Sequence, residues 1–215
     1  MIYPYIDGMI KTARASQELV RPRGRPREFD MDEALDQAIR VFCEQGYNAT
    51  SIGDLIDAMG LASGSIYKAF RDKRAVFLAA LDRHIVLRKE QIAAVARTSK
   101  PARERLRDVL AHFVEVSKGA EGRRGCMVVG SAVELAIVDR EVAARVNASI
   151  GENEAFLADL IREGQGDGSI PAAIDPEDTA RVMVCLTQGL RVVGRSGRAP
   201  PDTAAAVDIA MKLLA

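Results

Sequence analysis

Thr50-Ser51-Ile52-Gly53-Asp54-Leu55-Ile56-Asp57-Ala58-Met59-Gly60 and Ser63-Gly64-Ser65-Ile66-Tyr67-Lys68-Ala69-Phe70 are two short helical signals with only Leu61 and Ala62 between them. In the first, Ile52, Leu55, Ile56 and Met59 recur at the spacing of one helical face, Thr50 reads as its cap, and Gly60 supplies a residue that tolerates left-handed geometry where the helix stops. In the second, Ser63 reads as the cap, and Ile66 and Phe70, four apart, point inward. Small or polar groups are left facing out. Upstream, Asp30 with Glu33 three residues later forms a capping-box pattern ahead of Leu35, Ala38, Ile39 and Phe42, and Gly46 closes that helix.

Two helices joined by a three-residue link with a glycine make a helix-turn-helix, in which the second helix lays its N-terminal residues against base edges in the major groove. Ser63, Gly64 and Ser65 are small enough for close approach to a duplex, and Tyr67 and Lys68 extend the same surface as base or phosphate contacts. Thr50 and Ser51 at the preceding helix start, and Lys73 at the next one, are expected to meet phosphates. From helix pattern alone, a small helical hairpin in an ordinary bundle fits equally well.

The order Ala34 to Phe42, Gly46-Tyr47, Thr50-Ser51-Ile52, Ala58-Met59-Gly60-Leu61, Ser63-Gly64-Ser65-Ile66-Tyr67, Phe70, Asp72-Lys73-Arg74, Leu78 and Leu81 resembles the TetR-type transcriptional regulators over about sixty residues. The resemblance implies an all-α protein with an N-terminal three-helix DNA-binding domain and a C-terminal helical domain for effector binding and dimerisation. It also implies that a long fourth helix links the two, and that the last two helices pair with their copies as a four-helix bundle. One departure matters: many members carry histidine just before the aromatic that ends the third helix, and Ala69 stands there. The operator therefore does not carry over from a relative.

With 30 Lys and Arg against 30 Asp and Glu, the net charge is zero, so a nucleic-acid partner rests on distribution rather than sum. Positive charge gathers on both sides of the proposed reading helix, in Lys11 to Arg27 and in Lys68 to Arg74. Residues 1–27, with Pro4, Pro22 and Pro26, read as a mobile basic arm. Its Arg23-Gly24-Arg25-Pro26-Arg27 end looks like an AT-hook core, in which Arg23 and Arg25 enter a narrow minor groove, or else like a solvated tail that adds phosphate attraction. Residues 28–88 are then the helix-turn-helix domain and 89–215 the effector-binding and dimerisation domain.

Asp72 caps a helix that carries His84 as a packing residue and runs into that second domain to about Arg97, and Pro101 opens the next. Arg123-Arg124-Gly125-Cys126 leads into the run Met127 to Ala136, too apolar all round for a surface helix. Cys126, at a helix start beside two arginines, has the setting of a reactive thiol or of a small space-filling hydrophobe. Cys43 and Cys185 read as core. Arg123, Glu134, Asn147 and Gln188 are the candidate polar contacts for a small, largely apolar or electrophilic effector, and Leu186, Leu190, Val193, Val207, Met211 and Leu214 are the candidate dimer face.

Three cysteines and two histidines without ligand spacing give no metal or disulfide framework, and no cofactor is expected. Cys126 with His112 is the nearest approach to a nucleophile and base, which is not enough to propose an enzyme. No apolar run approaches a membrane span and no leader is legible, so a cytoplasmic location is expected. The sequence thus reads as a homodimeric repressor on a near-palindromic double-stranded DNA operator, released by an unidentified small-molecule or thiol-reactive effector. A transcriptional activator, or an architectural DNA-binding protein without effector control, is the alternative.

Overall fold

Asp30 caps the first helix, its carboxylate accepting the N–H groups of Asp32 and Glu33 at 2.8 and 3.4 Å. The computed structural model describes residues 30–198 and 202–215, so the arm with Arg23 and Arg25 lies outside the described residues. All regular structure in the described residues is helical. The head is α1 (Met31–Gln45), α2 (Ile52–Met59) and α3 (Ser63–Ala69), and α4 (Lys73–Ala96) continues from it. The body follows as α5 (Ala102–Glu115), α6 (Gly119–Arg124), α7 (Met127–Glu134), α8 (Arg140–Gly166), α9 (Pro176–Arg195) and α10 (Thr203–Ala210), closed by a 3-10 turn at Met211–Leu214.

The start of α2 differs from the sequence reading by one residue. Ser51 is the cap, accepting Asp54 N–H at 3.1 Å while Asp54 returns a carboxylate to Ser51 N–H at 2.7 Å. Thr50 is buried, and its hydroxyl donates to the Gly46 carbonyl at 2.6 Å. Likewise Ala62 takes the cap position of α3 and Ser63 is its first helical residue. Gly60 adopts the left-handed geometry (φ 64°) that lets the chain reverse between α2 and α3.

Two apolar cores share α4. The head core joins Leu35, Phe42, Leu55 and Ile66 to Phe77 and Leu81, and it also takes in Met127, Val128, Val142 and Val146 from the body. The second core gathers Ile92 and Ala96 of α4 with Leu106, Leu157, Ile161 and Met183. Because α7 and the start of α8 pack into the head core, a shift of α7 is felt by the head directly.

Two ends of the body depart from expectation. Val207, Met211 and Leu214 are buried in the protomer's own core, so they do not form an outer face. Outward instead lie Val182, Leu186 and Val193 on α9, with Ile209 and Leu213 beyond. Cys185 shares that outer face of α9 and is exposed, whereas Cys43 is buried as expected. The run after Cys126 is also less enclosed than its composition suggested: Val133, Ile137 and Val138 are exposed.

Candidate nucleic-acid interface and interdomain cleft

The seven-residue α3 buries Ile66 to 1 % exposure and turns Gly64, Tyr67, Lys68 and Ala69 outward. Tyr67 is 55 % exposed, with no hydrogen-bond or aromatic partner among the described residues, an unusual position for a large aromatic. A side chain added at Gly64 would meet nothing within 4 Å, so this end of the helix is open to a macromolecular surface. Ser51 is also exposed, and its capping oxygen acts as an acceptor, which leaves its hydroxyl proton to donate. Ser51 opens α2 and the other groups lie on α3, the two helices at this end of the chain.

The turn between α1 and α2 sets where that end points, and it is held from two sides. From α4, Lys73 Nζ donates to the carbonyls of Tyr47 (3.0 Å) and Thr50 (2.9 Å) and sits 4.2 Å from the Tyr47 ring centroid. From α7, the Glu134 carboxylate accepts the N–H groups of Tyr47 (2.9 Å) and Asn48 (2.6 Å). A cation thus takes the carbonyls and an anion takes the amides. Gly46 is required beside them, because it has φ 80° and a Cβ there would lie 2.8 Å from the Glu134 carboxylate. The sequence reading of Thr50 and Lys73 as phosphate contacts is corrected by this geometry, since the Thr50 hydroxyl and the Lys73 ammonium are engaged inside the head.

Behind the turn, a cleft of about 330 Å³ separates head from body, lined on one side by Phe42, Tyr47 and Phe77 and on the other by Cys126, Glu134 and Arg191. Phe77 packs edge-on against the other two rings, with centroids 5.0 Å from Phe42 and 4.9 Å from Tyr47, while Phe42 and Tyr47 lie near parallel at 6.3 Å. Cys126 also borders an inner pocket of about 50 Å³ with Arg88, His112, Asn153, Gln188 and Arg191. Gln188 therefore lines a cavity, and Glu134 lines the cleft while serving the turn. Asn147 is exposed and lines neither space, and Arg123 instead borders a separate hollow of about 280 Å³ with Lys118 and Arg198. Ser149 and Asn153 of α8 line the inner pocket, a phase of that helix that the sequence pattern alone does not fix.

Cys126 is not governed by the neighbouring arginines in sequence. Its Sγ lies 3.6 Å from Nε2 of the buried His84, a residue expected only to pack, rather than pairing with His112. Burial raises the thiol's pKa, but the hydrogen bond and charge of His84 and the Arg191 guanidinium outweigh it and bring it down to about 6. By contrast, burial pushes Cys43 up to about 12. Arg191 is itself 5 % exposed, with guanidinium donors on the carbonyls of Val116 and Gly125 and no carboxylate partner among the described residues.

Comparison with known proteins fits this arrangement. The profile of bacterial regulatory proteins of the tetR family matches residues 34–80, and that of the tetracyclin repressor-like C-terminal domain matches residues 102–207. The HTH-type transcriptional regulator YezE of Bacillus subtilis is 33 % identical over 148 residues, covering 67 % of this chain and 75 % of YezE. The chain belongs to the TetR family of transcriptional regulators. The HTH-type transcriptional repressor ComR of Escherichia coli is 29 % identical over 184 residues, covering 85 % of this chain and 88 % of ComR. A cysteine-substituted form of the TetR family regulator CifR, solved with 26-bp double-strand operator DNA, superposes with a TM-score of 0.79 at 29 % identity, covering 89 % of this chain and all of that one (100 %). The TetR family is one of DNA-binding transcriptional regulators and not of enzymes. Among the described residues, no cluster of metal-binding side chains occurs and no helix is long and apolar enough to cross a membrane.

Proposed function

We propose that this TetR-family regulator is a homodimeric repressor that occupies a near-palindromic operator and leaves it when a small-molecule or thiol-reactive effector binds the body. The observation that carries the reading is the outward face of α3, where Tyr67 and Lys68 stand free on a helix anchored by Ile66. Ser63, Gly64, Ser65, Tyr67 and Lys68 are assigned to base and phosphate contacts and Ser51 to a phosphate. Arg23 and Arg25, outside the described residues, are assigned to the minor groove or backbone.

One such helix gives weak selectivity, because a good bidentate base contact contributes only about 1–3 kcal/mol of discrimination. Two heads on a two-fold axis read two half-sites. Exposed apolar residues support that assembly: Val182, Leu186 and Val193 on α9, and Ile209 and Leu213 on α10 and the closing turn. Repression needs only that the bound dimer occlude a promoter. Effector control then follows by linkage, since a ligand that prefers the non-binding state weakens DNA affinity by its differential affinity.

Selection of bound sequences from random duplex DNA with the full chain tests the reading. Enrichment of a near-palindrome with half-sites about one helical turn apart is expected. Enrichment of a lone half-site would remove the dimer, and no enrichment would remove the operator.

A further inference from the structure

The cleft between α1 and α7 brings together a thiol backed by a buried imidazole, a buried guanidinium without a carboxylate partner among the described residues, and the carboxylate that holds the head's turn. We propose that this cleft is an addition site for a small uncharged activated alkene, taken up on Cys126 with His84 as proton carrier, and that Glu134 passes the adduct's presence to the reading head. The inference rests on the effector-released repressor reading above and names the effector's class and its point of action.

Three features select that chemistry. First, the wall facing Cys126 is Phe42, Tyr47 and Phe77, which favours an apolar molecule, and the volume of about 330 Å³ admits one of modest size. Second, the Arg191 guanidinium bonds only carbonyls among the described residues, and its charge favours the thiolate of Cys126. A buried cation of that kind stabilises the anionic sulfur and the enolate oxygen that forms as the sulfur adds. Third, the sulfur competes with no other reactive thiol in the cleft, because Cys43, also on its wall, is held protonated by burial.

The step balances without an outside oxidant or reductant. The Cys126 proton passes to His84 Nε2, 3.6 Å away. The sulfur pair then forms a bond to the β-carbon of the alkene while the π pair moves onto the conjugated carbonyl as an enolate. The imidazolium returns the proton to the α-carbon, leaving a thioether and neutral His84.

The adduct changes two things. The thioether is uncharged, so Arg191 loses its counter-charge in a buried place, which disfavours its present seat between α9, Val116 and Gly125. The added atoms also occupy the space bounded by Gly46, Tyr47 and Glu134. Glu134 sits at the end of the eight-residue α7 whose start carries Cys126, so displacement of that helix withdraws the carboxylate from the Tyr47 and Asn48 amides. Release of the turn alters the setting of α2 and α3, and the two half-sites are no longer met together.

The test uses the full-length dimer, the operator recovered by selection, and N-ethylmaleimide as the activated alkene, in the Cys185→Ser background so that the exposed thiol does not react. Intact mass should show one adduct, mapped to Cys126, with operator affinity falling roughly ten- to a hundredfold. The alkylation rate should level off above about pH 7, whereas an ordinary thiol with a pKa near 8.5 keeps accelerating to about pH 9. His84→Gln should move that inflection upward, with circular dichroism reporting that the fold is kept. Glu134→Gln, which retains one acceptor, should bind operator more weakly when unmodified and lose less on alkylation. Absence of an adduct at Cys126, an adduct that leaves operator affinity unchanged, or a Glu134→Gln variant that loses as much as the parent would each overturn the proposal. A chain that binds no operator before alkylation would instead overturn the repressor reading.

Discussion

Replacing Lys73 by methionine separates two roles for one cation. The sequence places Lys73 at a helix start next to DNA, while the structure turns its ammonium onto the Tyr47 and Thr50 carbonyls at 3.0 and 2.9 Å. Hydrogen bonds to a charged group contribute about 1.5–3 kcal/mol each. Lys73 is half-buried, so the low end applies to both bonds, and water reaching the freed carbonyls recovers part of the loss. Methionine keeps the stem against the Tyr47 ring but loses the cation–π contact, about 0.5 kcal/mol at a site this open. The expected cost is about 2–3 kcal/mol, and for a chain of this length that lowers Tm by roughly 5–10 °C. Operator affinity measured against KCl should keep its slope, because no phosphate contact is removed. A phosphate-bound Lys73 would show the opposite pair of results: an unchanged Tm in the variant, and a salt dependence shallower by about 0.9 per protomer. That outcome would refute the inward assignment.

Tyr67→Ala with Lys68→Ala should abolish operator binding in an anisotropy titration while sedimentation still reports a dimer, since both side chains face outward; retained binding would mean the reading surface lies elsewhere. Leu186→Glu places a carboxylate at a position 45 % exposed in the protomer, and burying it twice across a two-fold axis costs several kcal/mol, so the variant should sediment as a monomer at micromolar concentration. Deleting residues 1–27 should weaken operator binding and flatten its salt dependence; an unchanged slope removes the arm from the interface. Asp139 is held at about 2, below its ordinary 3.8, chiefly by the hydrogen bond from Arg74 at 2.9 Å. A depressed carboxylate stabilises the fold fully above its unfolded value and loses that contribution as pH falls toward the folded one. Denaturant titrations should therefore show stability declining between about pH 4 and pH 2, with Asp139→Asn less stable at neutral pH and flatter across that window.

The head is legible in the sequence because its signals are local. Caps at Asp30 and Asp72, glycines at 46 and 60, and the Ile66 anchor each act within a turn or two of chain. What escaped reading is non-local. Glu134 meets amides 86 and 87 positions away, and His84 meets Cys126 across 42, so neither pairing leaves a trace in spacing. Lys73 looked like a free cation since nothing near it in sequence accepts it; its acceptors are carbonyls of a turn 23 and 26 residues earlier. The last helix carries apolar residues on two sides, so its sequence alone suggests the wrong outward face. Val207, Met211 and Leu214 differ from Ile209 and Leu213 only in phase, and periodicity over one short helix and a 3-10 turn does not say which side meets the core.

The slight anchoring of α3 bears on how regulators of this kind diverge. Stability draws on this helix mainly through Ile66, while the residues that face outward contribute little to the core and are not confined by neighbours. Substitutions at Gly64, Tyr67, Lys68 and Ala69 can therefore accumulate without loss of folding. A helix held this way can change its outward surface while the scaffold beneath it stays as it is.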